Sequence, residues 1–182
     1  AARREDARRG APGSMDDRRW RDGYALLAGL GLHFELQAPW WHLDAAAELA
    51  RDFPGTAIVL NHAGLPADRG EEGLALWRRA MERLAAEPNV VAKISGIGVP
   101  GVPWPRAGNA RIVRDAIAIF GASRCMFASN FPVDGLVGGI GEIFAGFEAA
   151  TRGMDPATRR ALFRDNALRV YRIDPAALRA PG

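Results

Sequence analysis

Cysteine and lysine are nearly missing from this sequence, which holds one of each, Cys125 and Lys93. A lone thiol excludes an internal disulfide framework and a cysteine-based zinc site. It fits a reducing compartment, and the cytoplasm is the expected location. No apolar run approaches the ~18 residues of a membrane span, so no membrane partner is expected. The N-terminal stretch has no apolar core behind its charges and does not read as a secretory signal. No glycine-rich phosphate fingerprint stands at a strand-to-helix turn, which argues against nucleotide binding.

A face for nucleic acid is also lacking. The net charge is only +3, from 24 basic and 21 acidic residues. The densest basic stretch, Arg3, Arg4, Arg8 and Arg9, is interrupted by Glu5 and Asp6 and carries no interleaved aromatics. Residues 1–14 therefore read as a solvated, frayed tail.

What is present is an alternation. Residues 16–30 read as a helix that Asp16 or Asp17 can cap, with Trp20, Tyr24 and Leu27 on one face and Gly31 at its end. LHFELQ at 32–37 reads as a strand, and 42–52 as a helix stopped before Pro54. AIVLN at 57–61 is a continuous apolar run, as expected of a buried parallel strand. A helix follows at 71–86, with Leu74, Trp77, Met81 and Leu84 facing inward. Then come a strand at 90–95, a helix at 108–120, a strand at 125–129 and helices at 138–151 and 156–171. Asp155 caps the last helix and Pro156 occupies its first turn. Strands that begin ~25–35 residues apart and alternate with helices are βα units. Right-handed crossovers make such strands parallel. Four strands predict an α/β fold of about half the size of a (β/α)8 barrel, which takes ~250 residues.

Ligands bind beyond the carboxyl ends of parallel strands, and polar residues collect there. Gln37 closes the first strand, His62 the second, Lys93 and Ser95 the third, and Ser129 and Asn130 the fourth. His62, in AIVLNHAGLP, can accept a proton, polarise a carbonyl or bind a metal; otherwise it is a hydrogen-bonded core histidine. His33 and His42 lie at a strand start and a helix start and are weaker candidates. Lys93 sits inside an apolar strand, where an ammonium needs a partner or a polar cavity; alternatively its stem crosses apolar surface and its head reaches solvent. Ser95 shares its face by strand alternation. Asn130 can donate and accept hydrogen bonds but cannot act as a general base. Asp134 can, if the turn brings it inward; otherwise it caps the next helix. Trp40, Trp41 and Trp104 lie in loops where they could wall a pocket or pack over the rim. Ile58, Leu60, Val91 and Phe127, or their strand neighbours, would line the inner face of the sheet.

Taken in order, NHAG after a strand, then PNVVAKISG, RCMFASNFPVD and FRDNALRVYRI resemble the amidohydrolase-related family. The likeness is strongest to its lactonase-like group, which includes 2-pyrone-4,6-dicarboxylate lactonase and sugar-lactone hydrolases. It covers residues 15–173, with 174–182 as a C-terminal tail. The resemblance implies a TIM barrel present as its C-terminal half, the last four strands of eight. His62 then matches the sixth-strand histidine, Gln37 the position of a fifth-strand histidine ligand, and Asn130 the position of an eighth-strand aspartate. With those two ligands replaced, no cofactor is expected, and a divalent metal stands by family analogy only.

The implied activity, in a full-length parent, is hydrolysis of a carboxylic ester or lactone, with this piece itself inactive. His62 would polarise the carbonyl or shuttle a proton. Lys93 would stabilise an oxyanion or bind a substrate carboxylate. Asn130 and Gln37 would orient substrate or water, with Ser95, Trp40 and Asp134 lining the substrate site. A decarboxylase of the same family and a catalytically silent small-acid binder are the rivals. Unpaired sheet edges predict a homo-oligomer.

Overall fold

A computed structural model describes Arg4 and residues 8–178 of the chain, the side chains of Pro105 and Arg106 excepted. Two compact units divide between Lys93 and Ile94.

The first unit begins with α1 (Arg18–Tyr24) and α2 (Leu26–Gly29). Asp17 caps α1 by accepting from the Arg19 N–H, which leaves one fewer orphan donor at the helix start. The single helix expected over 16–30 is instead divided at Ala25. Gly23 and Gly29 make the segment a weak helix former, because glycine costs about 1 kcal/mol relative to alanine. Gly31, at φ 67°, ends it. The Gly31 and Leu32 N–H groups then donate back to Ala28 and Leu27, the paired closure that a left-handed glycine permits.

Next come β1 (Phe34–Leu36), α3 (Leu43–Asp52), β2 (Ile58–Leu60), α4 (Glu71–Ala85) and β3 (Val90–Ile94). These strands run parallel, with Glu35 level with Val59 and Val59 level with Val91. Strand side chains alternate, so Glu35, Val59 and Val91 share one face, and Leu36, Ile58, Leu60, Val90 and Ala92 the other. The second group meets the helices: Leu60, Leu43 of α3 and Met81 of α4 converge on Gly64. Ile58 and Leu60 therefore belong to the helix-covered face, and Val59 takes the place expected for them on the inner one. Trp77 of α4 is fully buried, and an apolar side chain of its class contributes about 1.5–3 kcal/mol or more on burial. At the strand-entry end, the Asn89 amide nitrogen donates to the carbonyls of Ala50 (3.0 Å), Phe53 (3.3 Å) and Thr56 (3.0 Å).

The second unit holds α5 (Asn109–Phe120), β4 (Cys125–Phe127), α6 (Ile140–Ala150), α7 (Pro156–Arg160) and α8 (Asn166–Tyr171). Just past β4, the Ala128 N–H donates to the carbonyl of Ile94, the last residue of β3. The strands follow the order β1-β2-β3-β4, four strands with flanking helices as the α/β half-barrel reading requires. Phe127 stacks on Phe147 of α6 at 4.4 Å and meets Phe163 edge-on at 4.8 Å. It is thus on the helix side, and Met126 is its neighbour of opposite orientation. Asp155 caps α7 from two backbone N–H groups, with Pro156 behind it, as expected. The single helix expected over 156–171 is interrupted by a widened π turn at Ala161–Asp165. Beyond that turn the Asn166 amide donates at 2.7 Å to the carbonyls of both Ala122 and Cys125. Among the described residues, no helix is long and apolar enough to cross a membrane.

Candidate functional site

The residues after β2 adopt a conformation that their side chains disfavour. His62 (φ 56°, ψ 32°), Ala63 (φ 48°, ψ 35°) and Leu65 (φ 52°) are all left-handed, with Gly64 at φ 68° among them. A left-handed non-glycine residue costs roughly 1–2 kcal/mol, and such outliers gather at functional sites because the surroundings must impose them. Here the surroundings are identifiable. The Trp77 indole N–H donates to the Ala63 carbonyl at 2.8 Å in a buried hydrogen bond. The Leu65 N–H donates to the His62 carbonyl at 2.9 Å. Gly64 is enclosed so closely that an added Cβ would lie 3.2 Å from Leu43 and 3.3 Å from Met81. The effect is to turn the chain sharply at the strand exit and leave His62 half-buried there. Beside it, the Asn61 side-chain oxygen is buried and accepts no hydrogen bond from the described residues.

Lys93 does not stand as an isolated charge. Its ammonium donates at 2.8 Å to the Glu35 carboxylate of β1. This ion pair confirms that the two residues share the inner face of the sheet. His33 Nε2 lies 3.7 Å from the other Glu35 oxygen. The pair holds the Lys93 ammonium at a defined place on that face. Gln37 is exposed one residue past β1. Trp40 is 9% exposed, edge-on to Trp41, with the Arg4 guanidinium 5.0 Å from its ring centre. That is a packing position.

In the second unit, Ser95 is 1% exposed. β3 ends at Ile94, so strand alternation no longer governs Ser95. Asn130, past β4, is left-handed at φ 55°. Its amide donates to the Asp134 carboxylate at 2.8 Å, and the Asp134 N–H donates to the Asn130 carbonyl at 3.0 Å. Asp134 is 8% exposed and lies within a short 3₁₀ turn, Val133–Leu136. Trp104 is buried, edge-on to Phe147, and is core rather than pocket wall.

The strand exits thus hold the residues that the sequence placed there, and two pairs are brought into hydrogen-bonding contact, Lys93 with Glu35 and Asn130 with Asp134. Glu35 and Asn61 were not anticipated. Glu35 is the one charge within LHFELQ and lies two residues before Gln37, the spacing of a shared face. Together with a lone lysine two strands away, that was a readable signal. No group of three or more His, Cys, Asp or Glu side chains is placed to hold a metal among the described residues. A divalent ion normally takes three or four protein ligands, so this donor set does not fit one by itself.

A family model described as amidohydrolase matches residues 6–173. The uncharacterized protein y4mH of Sinorhizobium fredii is 45% identical over 154 residues, 85% of this chain and 52% of that protein. The L-fucono-1,5-lactonase of Burkholderia ambifaria is 36% identical over 138 residues, 73% of this chain and 47% of that enzyme. Among solved structures, an amidohydrolase from Burkholderia multivorans with bound zinc superposes with a TM-score of 0.81 at 27% identity, over 89% of this chain and 60% of that one. The chain spans about half the length of the curated relatives it matches.

Proposed function

Because the chain belongs to the amidohydrolase family, we propose that it forms part of a hydrolase that opens the ester bond of a lactone, most simply that of a sugar acid. The likeness to L-fucono-1,5-lactonases supports the substrate class. The observation that carries the site is His62, held at the exit of β2 in a left-handed turn. In the reaction, water adds to the lactone carbonyl carbon, the ring C–O bond breaks, and the departing alkoxide takes a proton to give the open hydroxy acid. His62 polarises the carbonyl or moves the proton. Lys93, fixed by Glu35, stabilises the oxyanion or holds a substrate carboxylate. Gln37 and Asn130 orient substrate and water. Ser95 and Trp40 are both buried, and Trp40 acts by packing.

A second reading, binding of a small acid without turnover, is favoured by one observation: Asn130 is an amide, where an aspartate would supply a carboxylate. A pH-indicator assay of the full-length protein against sugar-acid lactones separates the two. Turnover that falls by ~10²–10⁴-fold in His62→Ala, the usual scale for a positioned acid–base group, supports the hydrolase. Saturable binding of the lactone with no ring opening supports the binder.

A further inference from the structure

Resting on that reading, we propose that Asp134 is a positioning residue: it fixes the Asn130 amide so that the carbonyl oxygen Oδ1, not the NH₂, is offered at the exit of β4.

The argument starts from donor chemistry. An ionised carboxylate only accepts hydrogen bonds, so the Asn130 group that faces Asp134 must be its NH₂. The 2.8 Å contact therefore settles the orientation of the amide by chemistry rather than by assignment. The opposite end, Oδ1, is left pointing away from Asp134. The backbone locks the pair, since the Asp134 N–H donates to the Asn130 carbonyl while Val137 and Gly138 donate to the Asp134 carbonyl at 2.9 and 3.1 Å.

The competing role for Asp134, helix capping, does not match. The turn it sits in starts after Pro132, and no backbone N–H among the described residues donates to its carboxylate; Asn130 is its hydrogen-bond partner. A carboxylate that is 8% exposed and spends its contact on one neighbouring amide is placed to control that amide.

The consequence is chemical. The site offers a neutral acceptor with a fixed direction, which takes an O–H donor, either the attacking water or a substrate hydroxyl. It orients that group and does not remove its proton. Asn130→Asp would not simply create a base, because two carboxylates at hydrogen-bonding distance cannot both ionise freely, and one of them is pushed up.

Selective ¹⁵N-asparagine labelling of the full-length protein tests the geometry without requiring turnover. The Asn130 side-chain N–H signals should exchange slowly with solvent and collapse to solvent-like behaviour in Asp134→Ala. In lactone kinetics, Asp134→Ala should lower kcat by about 10²-fold, the scale of a misdirected reacting group. Asp134→Asn, whose Oδ1 can still accept from Asn130, should recover most of that loss. KM should rise as well if the oriented group is a substrate hydroxyl, and stay constant if it is water. The acid limb of the pH profile should lie higher in Asn130→Asp than in the double variant Asn130→Asp, Asp134→Asn. Asn130 signals unchanged in a folded Asp134→Ala protein overturn the proposal, as does an Asp134→Asn protein no better than Asp134→Ala. Signals that behave as expected in a protein without lactone turnover sustain the positioning and refute the hydrolase reading.

Discussion

The indole nitrogen of Trp77 lies 2.8 Å from the carbonyl oxygen of Ala63 and donates to it. A helix in the core thereby holds the turn that presents His62. Trp77→Phe keeps most of the buried ring and removes this bond, leaving a buried carbonyl unpaired. The expected loss is about 1–3 kcal/mol of unfolding free energy, measured by urea denaturation. Turnover in the full-length protein should fall with it. A Trp77→Phe protein of unchanged stability would show that the turn is held by other means.

Lys93 and Glu35 form a partly exposed pair at 2.8 Å. Solvent screening limits such pairs to about 0.2–1 kcal/mol. A double-mutant cycle with Glu35→Gln and Lys93→Met should return a coupling in that range for stability. If Glu35 holds Lys93 for chemistry, Glu35→Gln should nonetheless reduce kcat. A large stability coupling with unaltered kcat would make the pair purely structural.

Gly146 in α6 lies so close to Trp104 that an added Cβ would come within 2.4 Å of its ring. Helix propensity alone favours Gly→Ala by about 1 kcal/mol, whereas overpacking a core costs about 1–3 kcal/mol. Contact should win, so Gly146→Ala lowers the melting temperature. A stabilised variant would mean that Trp104 can move aside.

Burial pushes the Cys125 thiol and the Tyr24 phenol up, each to about 12. In an unfolded chain they would ionise near ~8.5 and ~10. Their neutral forms contribute stability that is complete below about pH 8.5 and is lost as pH rises toward the folded values. Unfolding free energy should decline through that alkaline window, approaching about 1.4 kcal/mol per pH unit for each group. Cys125→Ala and Tyr24→Phe should each flatten the decline. A flat wild-type profile up to pH 11 would sink the claim.

β1 and β4 stand at the two ends of the strand order. Leu26, Leu30 and Leu32, leading into β1, are 65%, 69% and 51% exposed. Strand edges and apolar patches of this kind recruit other chains. The isolated 182-residue chain should self-associate in size-exclusion chromatography with light scattering. A monodisperse monomer with full lactone turnover contradicts this.

Much of the fold was legible because it rests on short-range rules. Apolar runs marked the strands, Asp16 or Asp17 and Asp155 marked helix starts, and Gly31 marked a helix end. The faces of β2 were not legible. Ile58, Val59 and Leu60 are all apolar and all buried, so periodicity could not say which of them met the helices. The division at Ala25 and the widened turn after α7 depend on packing that no local pattern encodes. Strand-end position put His62 and Asn130 forward as candidates, and both stand past strand ends with left-handed backbones. The left-handed turn was hidden because Ala63 and Leu65 are not residues that announce it. Glu35 differs: its spacing to Gln37 was legible, and only its pairing with Lys93 needed β1 and β3 to lie in one sheet.

Asn89 and Asn166 tie carbonyls together where strands enter, while the left-handed residues His62 and Asn130 stand where strands leave. Three acceptors share the two hydrogens of the Asn89 amide, so at least one of its bonds is forked. Each unit is therefore anchored at one pole and kept under tension at the other. Substitutions at the tense pole can then be made without loosening the knots at the other. The first asparagines to test for intolerance to change are thus Asn89 and Asn166, at the ends where strands enter.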